Sequence, residues 1–238
     1  SVIRFVSSLG YAGYPEFQDR LRSELAHRHV SALEQFGGSH STGQGSGSLR
    51  DAGRVLSRSV QDGFDVLPVG AFEDAVALLA RTDRKVSVIG GRFSGFLAGY
   101  LAVHLGLMRP GVDAVPDGSL SRAARVLDLG ATDVLVVFDF RRYEEETVNF
   151  GRRAAKQGAT LILITDQWLS PLASDAAVTL PCPVESTVPF DSLTPAMAVT
   201  EALIAALAAA LGTAARDRLA AAEEAYPISP GTEENRGI

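Results

Sequence analysis

Three short segments hold the residues whose types and spacing could do chemistry: Gly90-Gly91-Arg92-Phe93-Ser94-Gly95, Asp139-Phe140-Arg141-Arg142-Tyr143 and Thr165-Asp166-Gln167-Trp168-Leu169-Ser170-Pro171. The first is a glycine turn whose backbone N–H groups can approach an anion. Its Ser94 either caps the following helix or hydrogen-bonds a ligand oxygen. The turn has neither the full glycine pattern of a dinucleotide site nor the lysine of a P-loop, so a nucleotide is not expected. The second segment, with Arg92 of the first, sets three guanidinium groups against one acid, Asp139. Such groups grip phosphate or carboxylate through paired hydrogen bonds. The alternative is an ion pair of Asp139 with Arg92 or Arg141 that fills the same space. Glu144, Glu145 and Glu146 open the next helix, where carboxylates suit the helix dipole and would repel a phosphate on the same N-terminus. Trp168 and Tyr143 could wall a sugar pocket or simply pack.

Other chemistry-bearing residues point to structure. His104 lies on an apolar helix as a core or interface histidine. His27 and His29, two positions apart, cannot share a metal from one helix face. The single Cys182 offers no internal disulfide and no zinc ligand set. No metal, cofactor or catalytic residue is expected.

The elements that must position these loops follow from hydrophobic patterning. Short continuous apolar runs at Lys85–Gly90, Asp133–Phe138 and Thr160–Thr165, with weaker ones at Val112–Val115 and Ala177–Leu180, read as buried strands. Helical patterns lie between them, near Ser94–Leu107, Leu120–Leu129 and Glu144–Gln157, with a short helix from Ser170. An Ala-rich helix over about Ser192–Leu211 closes the domain, and its N-cap is most simply Asp191 or Ser192. Strands alternating with helices imply a mostly parallel, about five-stranded sheet covered on both faces. Ligands of such sheets sit beyond the carboxyl ends of the strands, where all three segments fall.

Composition bounds the rest. The chain has 238 residues, 46% hydrophobic and 21% charged, which excludes a disordered or fibrous protein. A net charge of −6 gives the whole molecule no long-range attraction for nucleic acid. The run Ala202–Leu211 is far shorter than the roughly 20 residues of a bilayer crossing, and no secretory signal is visible. No membrane association is expected, and the lone cysteine points to a reducing, cytoplasmic compartment. Residues 1–36 read as two helices, 37–48 as a linker without apolar residues, 49–225 as the α/β domain and 226–238 as a loose tail. Ser1 is not a methionine, so sequence before it is expected.

The order of a glycine turn with serine before a long helix (Gly90 to Leu107), a second strand-loop-helix (Val134 to Gly158) and Ile164-Thr165-Asp166 followed by Ser170-Pro171-Leu172-Ala173 resembles the sugar isomerase (SIS) domain. Ser1-Val2-Ile3-Arg4-Phe5 with Leu9-Gly10-Tyr11 and Gly13-Tyr14-Pro15-Glu16-Phe17 resembles the end of the helix-turn-helix domain of RpiR/MurR-type bacterial transcription regulators. The resemblance implies an α/β fold, a three-layer αβα sandwich, preceded by helices from a truncated helix-turn-helix region. It implies a homodimer or dimer of dimers that binds a sugar phosphate or related carbohydrate derivative and, in full length, operator DNA. The expected effector contacts are Gly91, Arg92, Ser94, Asp139, Arg141, Arg142, Tyr143, Thr165 and Ser186, the last because its loop lies near the ligand edge in that family. Arg4 is the one DNA contact expected, although the four arginines and four acids of residues 1–36 cancel. The chain departs from the family where a Ser/Thr-rich phosphate loop would stand, at Asp139 to Tyr143, and where Arg92 replaces a glycine. The competing readings are an aldose–ketose phosphate isomerase and a ligand-free dimerisation scaffold. Leu49–Val60 and Ser192–Leu211 are the expected dimer surfaces.

Overall fold

The computed structural model describes residues 48–186 and 190–226, together with Glu16. Apart from Glu16, the segment 1–36 with its Arg4, the linker up to residue 47 and the tail after Tyr226 lie outside the described residues. Helix α1 (Leu49–Val66) starts where the Ser48 hydroxyl accepts the Asp51 N–H at 3.2 Å, and α2 (Val69–Ala80) follows. Then come β1 (Lys85–Gly90), α3 (Gly95–Met108), β2 (Val112–Ala114) and α4 (Ser119–Leu127). The chain continues through β3 (Asp133–Asp139), α5 (Glu145–Lys156), β4 (Thr160–Asp166) and β5 (Val178–Cys182). It closes with α6 (Thr194–Leu211) and α7 (Thr213–Ala225).

The five strands form one wholly parallel sheet in the order β2-β1-β3-β4-β5. The order reverses between β1 and β3, whose registers pair Gly90 with Phe138. At such a switch point neighbouring loops diverge to opposite faces and leave a crevice at the carboxyl edge. Side-chain alternation divides the core in two. On one face Val134, Val136 and Phe138 pack with α2, α3, α6 and Ala215 of α7; on the other Leu135 and Val137 pack with α4 and α5. Cys182 belongs to the first of these clusters and is fully buried.

Helix α6 is long and apolar enough to cross a membrane by length and composition. In this fold its Ala196, Val199, Leu203 and Leu207 are at most 1% exposed, in the core against the sheet and its neighbouring helices. It also packs on α1 within the chain, so the two helices expected to form dimer surfaces each turn one face to the other. Phe96, Val103 and Leu107, on α3, are exposed apolar residues that the patterning did not single out.

Two expectations are corrected. No helix follows Ser170: successive turns run to Asp175, with Ala173 N–H to Ser170 O and Asp175 N–H to Leu172 O at 2.9 Å. Pro171 and the Ser170 hydroxyl, which accepts the Leu172 N–H at 3.2 Å, do make a helix start, but the Ala177 N–H is already bonded to Leu161 O at 3.0 Å, which commits the chain to the sheet after little more than one turn. Conversely, the alanines, arginines and glutamates after Gly212 build α7, which the patterning left unassigned because its apolar stripe is weak.

Candidate functional site

Gly90 ends β1 where the chain doubles back. A Cβ on it would lie 2.6 Å from Gly95 N and from Ser94 C and O, so only glycine fits. The Ser94 hydroxyl accepts the Gly91 N–H at 2.9 Å and donates to Phe138 O at 2.7 Å. It makes no side-chain bond to α3, whose first turn it precedes. Ser94 therefore staples the β1 turn to the end of β3 instead of capping the helix. A ligand that took its proton would have to replace the Phe138 carbonyl.

Asp139 ends β3 and is 1% exposed. The alternative ion pair with Arg92 or Arg141 is not made; the Ser170 hydroxyl donates to Asp139, and the Ser170 N–H in turn donates to Thr165 Oγ1 at 3.0 Å. Burial pushes the Asp139 carboxyl up to about 6, with Ser170 and the Glu144 backbone N–H pulling back. Asp166, at the end of β4, is buried and likewise raised by burial, against donors from the Tyr143 hydroxyl at 2.8 Å, the Trp168 N–H at 2.9 Å and the Arg141 N–H. The two carboxyls are thus held by neutral donors within the rim.

Arg141 is committed elsewhere. Its guanidinium forms a two-pronged bond with Asp191, Nε to Oδ2 at 2.7 Å, and lies over the Trp168 ring, 4.9 Å from its centre. One side chain thereby joins the loops after β3 and β4 to the segment before α6. Arg92 and Arg142 are exposed, and Arg142 holds a left-handed φ of 68°. Gly91 is half-buried, with the Glu144 carboxylate 3.5 Å from where a Cβ on Gly91 would stand. Glu144 accepts the Thr147 hydroxyl at 3.2 Å and lies 4.0 Å from Arg122. Ser186 is half-buried beyond β5.

The structure thus gathers Ser94, Asp139, Arg141, Tyr143 and Thr165 into one hydrogen-bonded rim, and leaves Arg92 and Arg142 at its periphery. Sequence reasoning missed Asp166 and Ser170 as partners in that rim, and it read Asp191 only as a cap. A carboxylate at the last position of a buried strand, as Asp139 and Asp166 both are, was the available signal. Among the described residues two cavities open elsewhere, one of about 240 Å³ between α4 and α5 lined by Arg122, Asn149 and Arg153, the other of about 350 Å³ beside Asp74, Arg81 and Thr160.

A family model of the SIS domain matches residues 78–206, more than half of the chain. The chain belongs to the SIS domain family. No curated protein matches it in sequence. Among solved structures, the sugar isomerase domain of the RpiR transcription factor from Sphaerobacter thermophilus is similar with a TM-score of 0.68 and 22% identity, over 73% of this chain and 97% of that one. The Vibrio vulnificus NanR protein complexed with ManNAc-6P is similar with a TM-score of 0.64 and 17% identity, over 94% of this chain and 79% of that one. An E. coli CFT073 protein solved as a ligand complex is similar with a TM-score of 0.59 and 22% identity, over 71% of this chain and 91% of that one. At these identities the likeness is one of fold. The switch point of this SIS domain, between the Gly90–Ser94 turn and the Asp139–Glu144 loop, is where the fold class binds ligands.

Proposed function

We propose that this chain is a bacterial transcription regulator of RpiR type, acting in the cytoplasm as a homodimer or dimer of dimers. Its SIS domain senses a small carbohydrate derivative, and its N-terminal region carries operator binding. The observation that supports sensing over turnover is the state of the rim carboxylates. Proton transfer next to a carbonyl needs a base that can reach the substrate, whereas Asp139 and Asp166 are buried and engaged by Ser170, Tyr143 and backbone N–H groups. The likeness to the RpiR and NanR regulators, the latter over nearly the whole chain, supports the same reading.

Binding would act by population shift: an effector that prefers one arrangement of the rim loops biases how the N-terminal regions are presented to DNA. Gly91, Arg92, Ser94, Asp139, Arg141, Arg142, Tyr143, Thr165 and Ser186 are the proposed contacts, and Arg4 the proposed DNA contact. An effector that reaches Arg141 must displace Asp191, which links occupancy to the start of α6.

The test is a thermal-shift screen of carbohydrates run beside an aldose–ketose interconversion assay. Stabilisation of several degrees at saturating ligand, with no turnover, is the expected result. Interconversion of an aldose phosphate and a ketose phosphate would establish the isomerase instead. A screen in which no carbohydrate stabilises the protein would leave the scaffold reading standing.

A further inference from the structure

The donors of the rim are already in use. Ser94 donates to Phe138 O, Ser170 to Asp139, Tyr143 to Asp166, Thr147 to Glu144 and Arg141 to Asp191. Asp139 and Asp166 are buried, and the carboxylates a ligand can reach are Glu144 and Asp191, whose side chains are 33% and 17% exposed, so the accessible wall offers acceptors around one engaged guanidinium. The critical group is Glu144. The glycine turn before α3 is the natural seat for an anion, but the Glu144 carboxylate already lies over Gly91. Its nearest cation, Arg122, is shared with Glu146 and Asp117 at 3.6 Å each, so it does not neutralise Glu144 alone. Arg92 and Arg142 are exposed, where water weakens any hold on a phosphate.

We infer that the rim selects a carbohydrate that donates hydrogen bonds through hydroxyl or ammonium groups, and that Glu144 turns phosphorylated forms away. This rests on the carbohydrate-sensing reading above and narrows it. A phosphate carries between one and two negative charges at neutral pH and at most one O–H donor, so it meets Glu144 chiefly as like charge. A hydroxyl or ammonium group brings a donor without that repulsion, and it can satisfy Asp191 when Arg141 is drawn away.

Titration calorimetry on the full chain tests this with matched pairs: glucosamine and glucosamine 6-phosphate, N-acetylmannosamine and its 6-phosphate, arabinose and arabinose 5-phosphate. Inorganic phosphate is run alone. Wild type is expected to bind the unphosphorylated member at least tenfold more tightly wherever a pair binds, and to show no heat with phosphate. Glu144→Ser and the near-isosteric Glu144→Gln, each checked for a native circular-dichroism spectrum, are expected to gain at least tenfold for the phosphorylated members or for inorganic phosphate. Tighter binding of any phosphorylated member by wild type overturns the inference, as does phosphate binding that is equal in wild type and both variants. If no sugar binds any of the proteins but inorganic phosphate binds only the variants, the role of Glu144 stands and the carbohydrate reading falls.

Discussion

Asp139 ends a fully buried strand with a serine hydroxyl as its side-chain partner, and its titration should be visible in stability. An acid raised from 3.8 to about 6 binds more protons in the native than in the unfolded state between those values. Its contribution is therefore most favourable below about pH 4, falls as pH rises and is fully lost above about pH 6, by roughly 3 kcal/mol if the whole rise is realised. Asparagine can still accept the Ser170 proton but cannot ionise. Urea unfolding at pH 4.5 and 7.5 should show Asp139→Asn gaining on wild type by about 2 kcal/mol at the higher pH, the first part of the loss having already occurred at pH 4.5. Equal differences at both values would mean that the native carboxyl titrates normally.

At the scale of elements, the β1 turn is the least tolerant part of the site. Gly90→Ala would drive a methyl group into the Ser94–Gly95 backbone, which is not a flexible side chain that can swing aside. A loss of about 2 kcal/mol or more is expected in denaturant unfolding, with carbohydrate stabilisation lost as well, because the same turn carries Ser94. The five strands, and the helices between them, were legible because continuous apolar runs and helical stripes are local signals. The turns after Ser170 were not, since a proper helix start, Ser170 with Pro171, is cut short by the pairing of Ala177 with Leu161, a contact that chain spacing does not show. The loops were legible as a rim, but their pairing was not. Arg141 and Asp191 lie 50 residues apart, and nothing in chain spacing distinguishes that partner from the nearer Asp139. Asp191 also had a local reading as a cap, which hid its tertiary role; α6 begins at Thr194 after Leu193, with no side-chain cap, so neither Asp191 nor Ser192 is its N-cap.

Across the whole molecule, the sheet separates two apolar layers, and Cys182 sits inside the larger one at the end of the outer strand β5. It is the chain's one cysteine, fully buried, with its thiol pushed up to about 12 by burial and by the nearby Asp166 charge. At neutral pH it has almost no thiolate and no path to reagent. A disulfide reagent such as Ellman's should consume it only as fast as the domain opens, hours or longer in the absence of urea and seconds once unfolded. Burst labelling of the native protein would show that β5 frays independently of the rest. The natural sequence thus carries a built-in clock for its own opening, and a sugar that tightens the rim should slow that clock without any label being engineered.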